Sequence, residues 1–264
     1  MRTIVLGTLV PLMVLALAAG CGTKPVEVEL GADAWMMQSN ASLKAGTETI
    51  KGTNIDLEKN LDIDNEQIRP VGNAGVRLFE AHVIRASVTD FSNKSTKSLT
   101  EEVTFDKKTY AVGTTVDAEF DMQLATLRYG WGFINVIDNL YFGPMVGVDV
   151  LATQASLEAA SVAKVSQSQT FPIPMAGAYV DYDLPLMFTK LTVRGEACGM
   201  RYQGSQGKGD AFDAKGTVGF RITDYLELHG GFRRLLLIGE SKDGEKRASI
   251  GLEGFLAGVT LRFP

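Results

Sequence analysis

The chain predicts an all-β protein, a single antiparallel transmembrane β-barrel of the up-and-down type, and three observations carry that reading. The first is the closing stretch Gly251–Phe263, GLEGFLAGVTLRF, followed by Pro264. From Phe255 onward one parity holds Phe255, Ala257, Val259, Leu261 and Phe263, all apolar. The other holds Gly254, Gly258, Thr260 and Arg262, with Leu256 as its one large apolar member. A strand with an apolar outer face, a small or polar inner face and a terminal aromatic suits the last strand of an outer-membrane barrel. The second observation is the N-terminus. Met1-Arg2 supplies a positive charge, Thr3–Ala19 is apolar, and Ala18, Ala19 and Gly20 are small, the pattern of a secretory signal peptide over 1–20. The third is that no later segment offers the roughly 18 consecutive apolar residues of a spanning helix. A membrane-embedded mature chain must then close on itself, since lipid offers no partner to free backbone groups.

The strands are placed backward from the closing one, Arg247–Phe263. Tyr225–Ile238 precedes it across Gly239–Lys246, and Phe212–Ile222 precedes that across the tight turn Thr223-Asp224. Further back come Leu191–Tyr202, Phe171–Asp183, Leu140–Thr153, Val116–Phe133 and Val71–Asp90. Short turns at Thr223-Asp224, Leu184–Thr189 and Ile134–Asn139 alternate with longer polar loops at Gln203–Ala211, Gln154–Thr170 and Phe91–Thr115, as in barrels with short periplasmic turns and long external loops. Both ends of such a barrel are periplasmic, so the strand number is even. A further hairpin of Val26–Gln38 and Ser42–Gly52, turning at Ser39–Ala41, makes ten. Thr53–Pro70 then becomes a periplasmic connection with one helical turn at Leu57–Leu61, and 91–115 a long external loop. The alternative is eight strands with Pro25–Pro70 as a lead-in. One barrel domain over 21–264 fits the roughly 240 residues left after the signal.

Face assignment follows from parity. On Val116–Leu124, Ala118, Phe120, Met122 and Leu124 are expected to face lipid, and Asp117, Glu119, Asp121 and Gln123 the lumen. On Leu191–Tyr202, Leu191, Val193 and Ala197 oppose Thr192, Arg194, Glu196 and Cys198. On Phe212–Ile222, Phe212, Ala214, Val218, Phe220 and Ile222 oppose Asp213, Lys215, Thr217 and Arg221. Glu227, His229 and Arg233 share the inner parity of the next strand. The expected lumen is a network of crossed ion pairs among Asp117, Glu119, Asp121, Arg194, Glu196, Lys215, Arg221, Glu227, His229 and Arg233. A soluble sandwich would reverse these faces, with charge outside and apolar residues within. Tyr129, Trp131, Phe133, Tyr141, Tyr182 and Tyr225 gather next to the short turns, where an aromatic girdle meets the membrane interface.

The cut site has two readings. Leu17-Ala18-Ala19-Gly20-Cys21 resembles the lipobox of bacterial lipoproteins, which implies a lipid on Cys21; Ala16-Leu17-Ala18 is an ordinary A-x-A site. Only two cysteines exist, Cys21 and Cys198, too few for a disulfide framework in an exported chain. A formal charge of −5 argues against a nucleic-acid partner, which requires a basic face.

The apolar signal, Trp35-Met36-Met37, GTNIDLEKNLDI (52–63), TYAVGT (109–114), LRYGWGF (127–133) and the closing GVTLRF together resemble a group of small outer-membrane β-barrel proteins of Gram-negative bacteria, of the OmpA and OmpX type of architecture. The resemblance spans the mature chain and its motifs are structural. It implies an outer-membrane location, contacts with outer-membrane lipids and lipopolysaccharide, assembly by the barrel-assembly machinery, and no catalytic residues. That closing aromatic is usually the final residue; here Pro264 follows it.

Candidate chemistry is sparse. His229 lies four residues after a periplasmic turn, and His82 follows Glu80 on a strand whose face the pattern leaves open. The acidic run Asp56, Glu58, Asp62, Asp64, Glu66 has the oxygen ligands Ca²⁺ favours but lacks the glycine and spacing of an EF-hand loop, so a solvated connection is the simpler expectation. No phosphate-cradling loop, zinc spacing or nucleophile elbow is present, and no cofactor or metal is implied. Four functions fit: a monomeric barrel with a plugged, charged lumen and a structural, envelope or surface-interaction role; a narrow channel for small solutes; a lipid-modifying outer-membrane enzyme; and a soluble periplasmic lipoprotein that binds an apolar ligand.

Overall fold

A computed structural model describes residues 26–45, 53–61, 64–105, 108–132, 139–159, 162–187, 189–205, 207–244 and 246–263. Among these, ten long strands form one closed antiparallel barrel: β1 (Val26–Ala45), β2 (Glu66–Leu78), β3 (His82–Ser98), β4 (Thr115–Trp131), β5 (Leu140–Ala159), β6 (Val162–Pro185), β7 (Lys190–Gly204), β8 (Gly207–Arg221), β9 (Leu226–Ser241) and β10 (Lys246–Phe263). Each strand pairs with its chain neighbour, and β1 closes on β10 in an unbroken register from Val28↔Phe263 to Ala45↔Lys246. Closure leaves the sheet without an edge strand, which a bilayer requires. The first and last strands start and finish at the same rim, the periplasmic one in a barrel of even strand number.

The number ten arises differently from the sequence expectation. Of the stretch expected as a hairpin over Val26–Gly52, Val26–Ala45 is one strand, β1, running through Ser39–Ala41, and 46–52 lie outside the described residues. The stretch expected as one strand over Val71–Asp90 is a hairpin, β2 and β3, turning at Phe79–Ala81. That turn places Phe79 and Glu80 at φ 50° and 61°. Primed turns demand positive φ, usually signalled by Asn-Gly or Asp-Gly; a Phe-Glu pair gives no such signal. Because β1 is single, its far end is the external rim, and the described residues 53–61 and 64 belong to an external connection rather than a periplasmic one, with Glu66–Pro70 belonging to β2. The helical turn Leu57–Leu61 does form, and Asp56 caps it by accepting the Lys59 backbone N–H at 3.0 Å.

The described residues of the polar stretches Gln154–Thr170 and Gln203–Ala211 are almost all strand as well, so β5 runs on to Ala159, β6 starts at Val162, β7 runs on to Gly204 and β8 starts at Gly207. Gly207 makes the second turn possible: at φ 156°, a Cβ there would lie 2.3 Å from the Glu240 carbonyl oxygen. Two features follow along every wall. In the periplasmic half the outer face is apolar: Leu228, Phe232, Phe220, Val218, Val193, Phe255, Val259, Leu261 and Phe263 are exposed. On β10 this belt, Phe255–Phe263, covers about 20 Å of depth at about 3.4 Å per residue and a tilt near 40°. Above it the outer face turns largely polar, at Gln38, Asp90, Gln123, Arg201, Asp210, Arg234 and Glu253 among others, with Ile68 as an exposed apolar exception. The wall therefore has a membrane storey and an external storey.

The girdle residues Tyr129, Trp131 and Tyr225 are exposed on the lower rim, and His82 joins them on the outer face, stacked 5.9 Å from the Tyr129 ring. Tyr141 does not; it sits inside, 4.6 Å from the Arg77 guanidinium. Phe133, the signal 1–20, Cys21 and Pro264 lie outside the described residues.

Candidate functional site

The lumen is the place where chemistry could happen, and it too has two storeys. In the lower one, inner positions bring acids and bases together across the barrel. Arg128 binds Asp149 and reaches Asp213 at 3.3 Å, and Arg233 binds Asp213 at 2.8 Å. Arg77 and Arg85 each sit 2.5 Å from Asp181, and Arg85 also reaches Glu196 at 3.2 Å. Arg194 binds Glu29 at 2.9 Å; Arg262 joins Glu27, Glu29 and Glu227, the last at 2.5 Å. Lys215 and His229 share Asp33, at 3.1 and 2.8 Å. Arg221 pairs with Asp183 at 2.9 Å. Asp149 and Asp33 carboxylates are fully buried, so each depends on its partners: removing one partner of a buried pair strands the other. Between these groups lies a polar cavity of about 90 Å³, room for several ordered waters. Glu29, Arg85, Arg194, Lys215 and His229 line it, and the buried His229 Nδ1 has no hydrogen-bond partner among the described residues.

Of the residues expected in this network, Arg194, Glu196, Lys215, Arg221, Glu227, His229 and Arg233 have inner positions, though Arg221 stands apart on its own pair. Asp117, Glu119 and Asp121 are a correction. They face outward in the external storey, where Thr96 Oγ1 donates to Asp117 at 2.6 Å, Ser92 Oγ donates to Asp121 at 2.5 Å, and Lys94 and Lys164 flank Glu119 at 2.7 and 3.2 Å. Their opposite parity, Val116, Ala118, Phe120, Met122 and Leu124, is buried in the lumen. The reason is position along the strand: this half of β4 stands in water, so the soluble rule of polar outside and apolar inside applies. The sequence expectation gave it the membrane rule. Asp33, Arg85, Arg128, Asp149 and Asp181 are network members that parity counting on single strands missed, and Arg262, placed on the inner parity of the closing strand, joins them. Arg128 and Asp149 were legible as lone charges amid apolar or small neighbours on β4 and β5.

Among the described residues the upper lumen holds no charge network. Trp35, Met37, Phe91, Phe120, Met122, Leu124, Leu151, Leu235, Leu237, Ile250, Leu252 and Leu256 fill it as one cluster. Arg233 reaches up to the Trp35 ring at 5.3 Å and marks the junction. At about 1.5–3 kcal/mol for each large apolar side chain buried, this is the main packing contribution of the external storey. A cap closes the mouth. Asn54–Asp56 pairs with Ser42–Lys44 of β1, and the hairpin Val103–Phe105/Lys108–Tyr110 lies beside it, with the Thr53 backbone N–H donating to the Thr104 carbonyl at 3.2 Å. Ile55, Leu61, Val103, Phe105 and Tyr110 point into the cluster; burial raises the Tyr110 hydroxyl above the usual phenol range.

Neither histidine is set for catalysis at the external mouth. His229 is engaged by Asp33 deep in the membrane storey, and His82 Nδ1 meets the Tyr129 hydroxyl at 2.7 Å on the outer lower rim. Among the described residues no three His, Cys, Asp or Glu side chains are grouped to hold a metal ion; Asp56 and Asp64 cap backbone N–H groups instead.

No family model and no curated protein matches this chain. Solved structures match it at the level of fold. The outer membrane protease OmpT from Escherichia coli is 11% identical with a TM-score of 0.52, over 92% of this chain and 98% of that one. The beta domain of the Bordetella autotransporter BrkA is 10% identical at a TM-score of 0.49, over 90% and 100%. Ail, the attachment invasion locus protein of Yersinia pestis, is 10% identical at 0.42, over 90% and 99%. The closed barrel, its apolar belt and the likeness to OmpT make this an outer-membrane β-barrel.

Proposed function

We propose that this barrel is a sealed envelope protein whose external storey serves surface interaction, not a conduit for solutes. The observation that carries the reading is the apolar column from Trp35 up to the capping Ile55, Phe105 and Tyr110, which fills the space above the ion-paired lower lumen among the described residues. Small barrels are commonly filled by their own side chains, and here the filling differs in kind between the two halves. Wild-type protein in planar bilayers is expected to show no stable conductance. Steady single-channel current would overturn this in favour of the narrow-channel reading.

No activity is proposed from the likeness to OmpT, because His229 and His82 both lie toward the periplasmic rim, away from any external substrate. Outer-membrane lipids and lipopolysaccharide are the expected surroundings of the belt, the barrel-assembly machinery the expected route there, and a monomer the expected state. A lipid on Cys21 belongs to the same proposal: Cys21→Ala is expected to abolish labelling with palmitate while leaving export intact, and an unlabelled wild type removes the anchor.

A further inference from the structure

Glu196 on β7 and Lys215 on β8 are directly opposed in the barrel register. Opposite charges at such positions ordinarily pair with each other. Here they turn apart: Glu196 Oε2 accepts from Arg85 Nη1 on β3 at 3.2 Å, and Lys215 Nζ donates to Asp33 on β1 at 3.1 Å. Each keeps bonding capacity in hand. A lysine ammonium carries three N–H donors, of which Asp33 takes one, and Glu196 Oε1 has no partner among the described residues. Lys215 and Glu196 side chains remain 21% and 23% exposed at inner positions of the wall. The space they meet is the lumen cavity of about 90 Å³ that both line.

The rest of the cavity wall leaves room for a guest and asks for one. Gly75 holds an inner position of β2 without a side chain, and a Cβ there would come no nearer than 3.4 Å to Glu29 Oε2. His229 lines the same space with its side chain 7% exposed; Nε2 is taken by Asp33, and the buried Nδ1 is without a partner among the described residues. A buried polar atom in that state calls for a water or a ligand. The lining charges are mixed, with Arg85, Arg194 and Lys215 set against Glu29 and Glu196. A lone cation there meets the first group and a lone anion the second, and like-charge contact is costly. A molecule carrying both charges answers both groups at once. Entry is from below, where Glu27 and Asp183 are only partly buried at the periplasmic rim, while the apolar column stands above.

We propose that the lower lumen binds a small zwitterion of the α-amino-acid class, glycine or alanine in size, taken from the periplasm. Its ammonium donates to Glu196 Oε1 and its carboxylate accepts from Lys215 Nζ, so the guest completes the cross-strand pair that the two residues do not make themselves. Being net neutral, it leaves the charge balance of the surrounding ion pairs unchanged. A cavity of about 90 Å³ offers about six to nine water positions at roughly 10–15 Å³ each, room for such a molecule and not for one with a long side chain. His229 Nδ1 takes its hydrogen bond from the guest or from a water held beside it.

The test is equilibrium dialysis of the full-length protein, folded in dodecylmaltoside at neutral pH, against radiolabelled glycine. Saturable uptake of one glycine per barrel is expected, displaced by alanine but not by methylammonium or acetate at the same concentration. Glu196→Gln, which leaves Arg85 its bond to Asp181, should weaken glycine by about tenfold or more. Gly75→Val alters no charge and fills the void, and should abolish uptake. Heat-modifiable gel migration shows whether each variant is a folded barrel; if either is not, competition on the wild type decides. Wild-type protein that takes up no glycine saturably leaves the cavity to water and overturns the site. Displacement by methylammonium or acetate as effective as by alanine, or uptake indifferent to both substitutions in folded barrels, does the same. Conductance reports on the apolar column and dialysis on the cavity beneath it, so the two readings fail separately.

Discussion

Below the level of Met36, Phe212, Phe232 and Phe255 the wall turns its apolar side chains outward and its charges inward; above that level most of the same strands do the opposite. β4 shows both rules in one strand. Its periplasmic half puts Leu127, Tyr129 and Trp131 outside and Arg128 inside; its external half puts Asp117, Glu119 and Asp121 outside and Phe120, Met122 and Leu124 inside. The solvent on the far side of the wall decides each case. Lipid makes a charge on the outer face costly, whereas water makes an apolar interior favourable. A strand long enough to leave the membrane must obey both. Its parity never shifts; only the chemistry on each parity does.

The comparison breaks most sharply inside the lumen. Arg128→Ala leaves Asp149 buried without its cation and Asp213 with Arg233 alone, and the cost should be about 3–5 kcal/mol. Phe120→Ala in the external storey removes a packed ring, and should cost a similar amount, about 3–5 kcal/mol, through lost transfer energy and a cavity. The two should differ in rescue. Arg128→Met with Asp149→Leu should recover much of the loss, since Asp213 keeps Arg233 and apolar replacement of a buried ion pair is often neutral or stabilising. Phe120→Leu should recover most of the second. The heat-induced shift on gels and the unfolding midpoint in detergent report both, and an Arg128→Ala barrel as stable as wild type would remove the lower network from the stability account.

On the outer face the storeys should separate. Phe220→Arg or Val259→Arg places a cation against lipid and should impair assembly by about 2–4 kcal/mol. Gln123→Arg, on the outer face above the belt, should stay within about 0.5 kcal/mol of wild type. Equal effects would mean the belt is drawn at the wrong height.

How much of this was legible depends on which solvent each residue meets. The closing strand needed no structure: its alternation lies wholly in the membrane storey, and Phe255, Val259, Leu261 and Phe263 face outward. Arg194, Glu196, Lys215, Glu227, His229 and Arg233 likewise follow from parity within the belt. The external half of β4 misleads because its alternation has the same period and amplitude with the faces exchanged, and a sequence carries no mark of membrane height. The turn at Phe79–Glu80 was hidden because its residues are not those its backbone prefers, while Ser39-Asn40-Ala41 carries turn-like composition in mid-strand. Who pairs with whom inside the lumen depends on closure, which brings Glu29 to Arg194 and Asp33 to His229 over sequence separations no local pattern reports.

Pairing makes a finer distinction than position. Glu196 and Arg221 both face inward, but Glu196 belongs to Arg85 and Arg221 to Asp183. Glu196→Ala and Arg221→Ala should therefore add within about 0.3–0.5 kcal/mol, while Arg85→Ala and Glu196→Ala should cost less together than apart. Coupling between Glu196 and Arg221 larger than that between Arg85 and Glu196 would redraw the network.

The smallest effect expected is also the most discriminating, because it concerns residues whose side of the wall is at issue. Asp117 stands on the outer face of β4, exposed, accepting from Thr96 Oγ1 on β3. A cross-strand contact of this kind in water contributes a few tenths of a kcal/mol, since the carboxylate exchanges one good partner for another. Asp117→Asn keeps the acceptor oxygen and removes the charge, so the unfolding midpoint should hold within an effect of about 0.5 kcal/mol. A lumenal Asp117 would answer differently. It would share a water-poor interior with Glu119 and Asp121 and need a cation, and losing its charge would leave that cation stranded at several times the cost. Asp121→Asn, which keeps its bond from Ser92, serves as the replicate. A loss above about 1.5 kcal/mol in both would return these acids to the lumen and erase the external storey along β4.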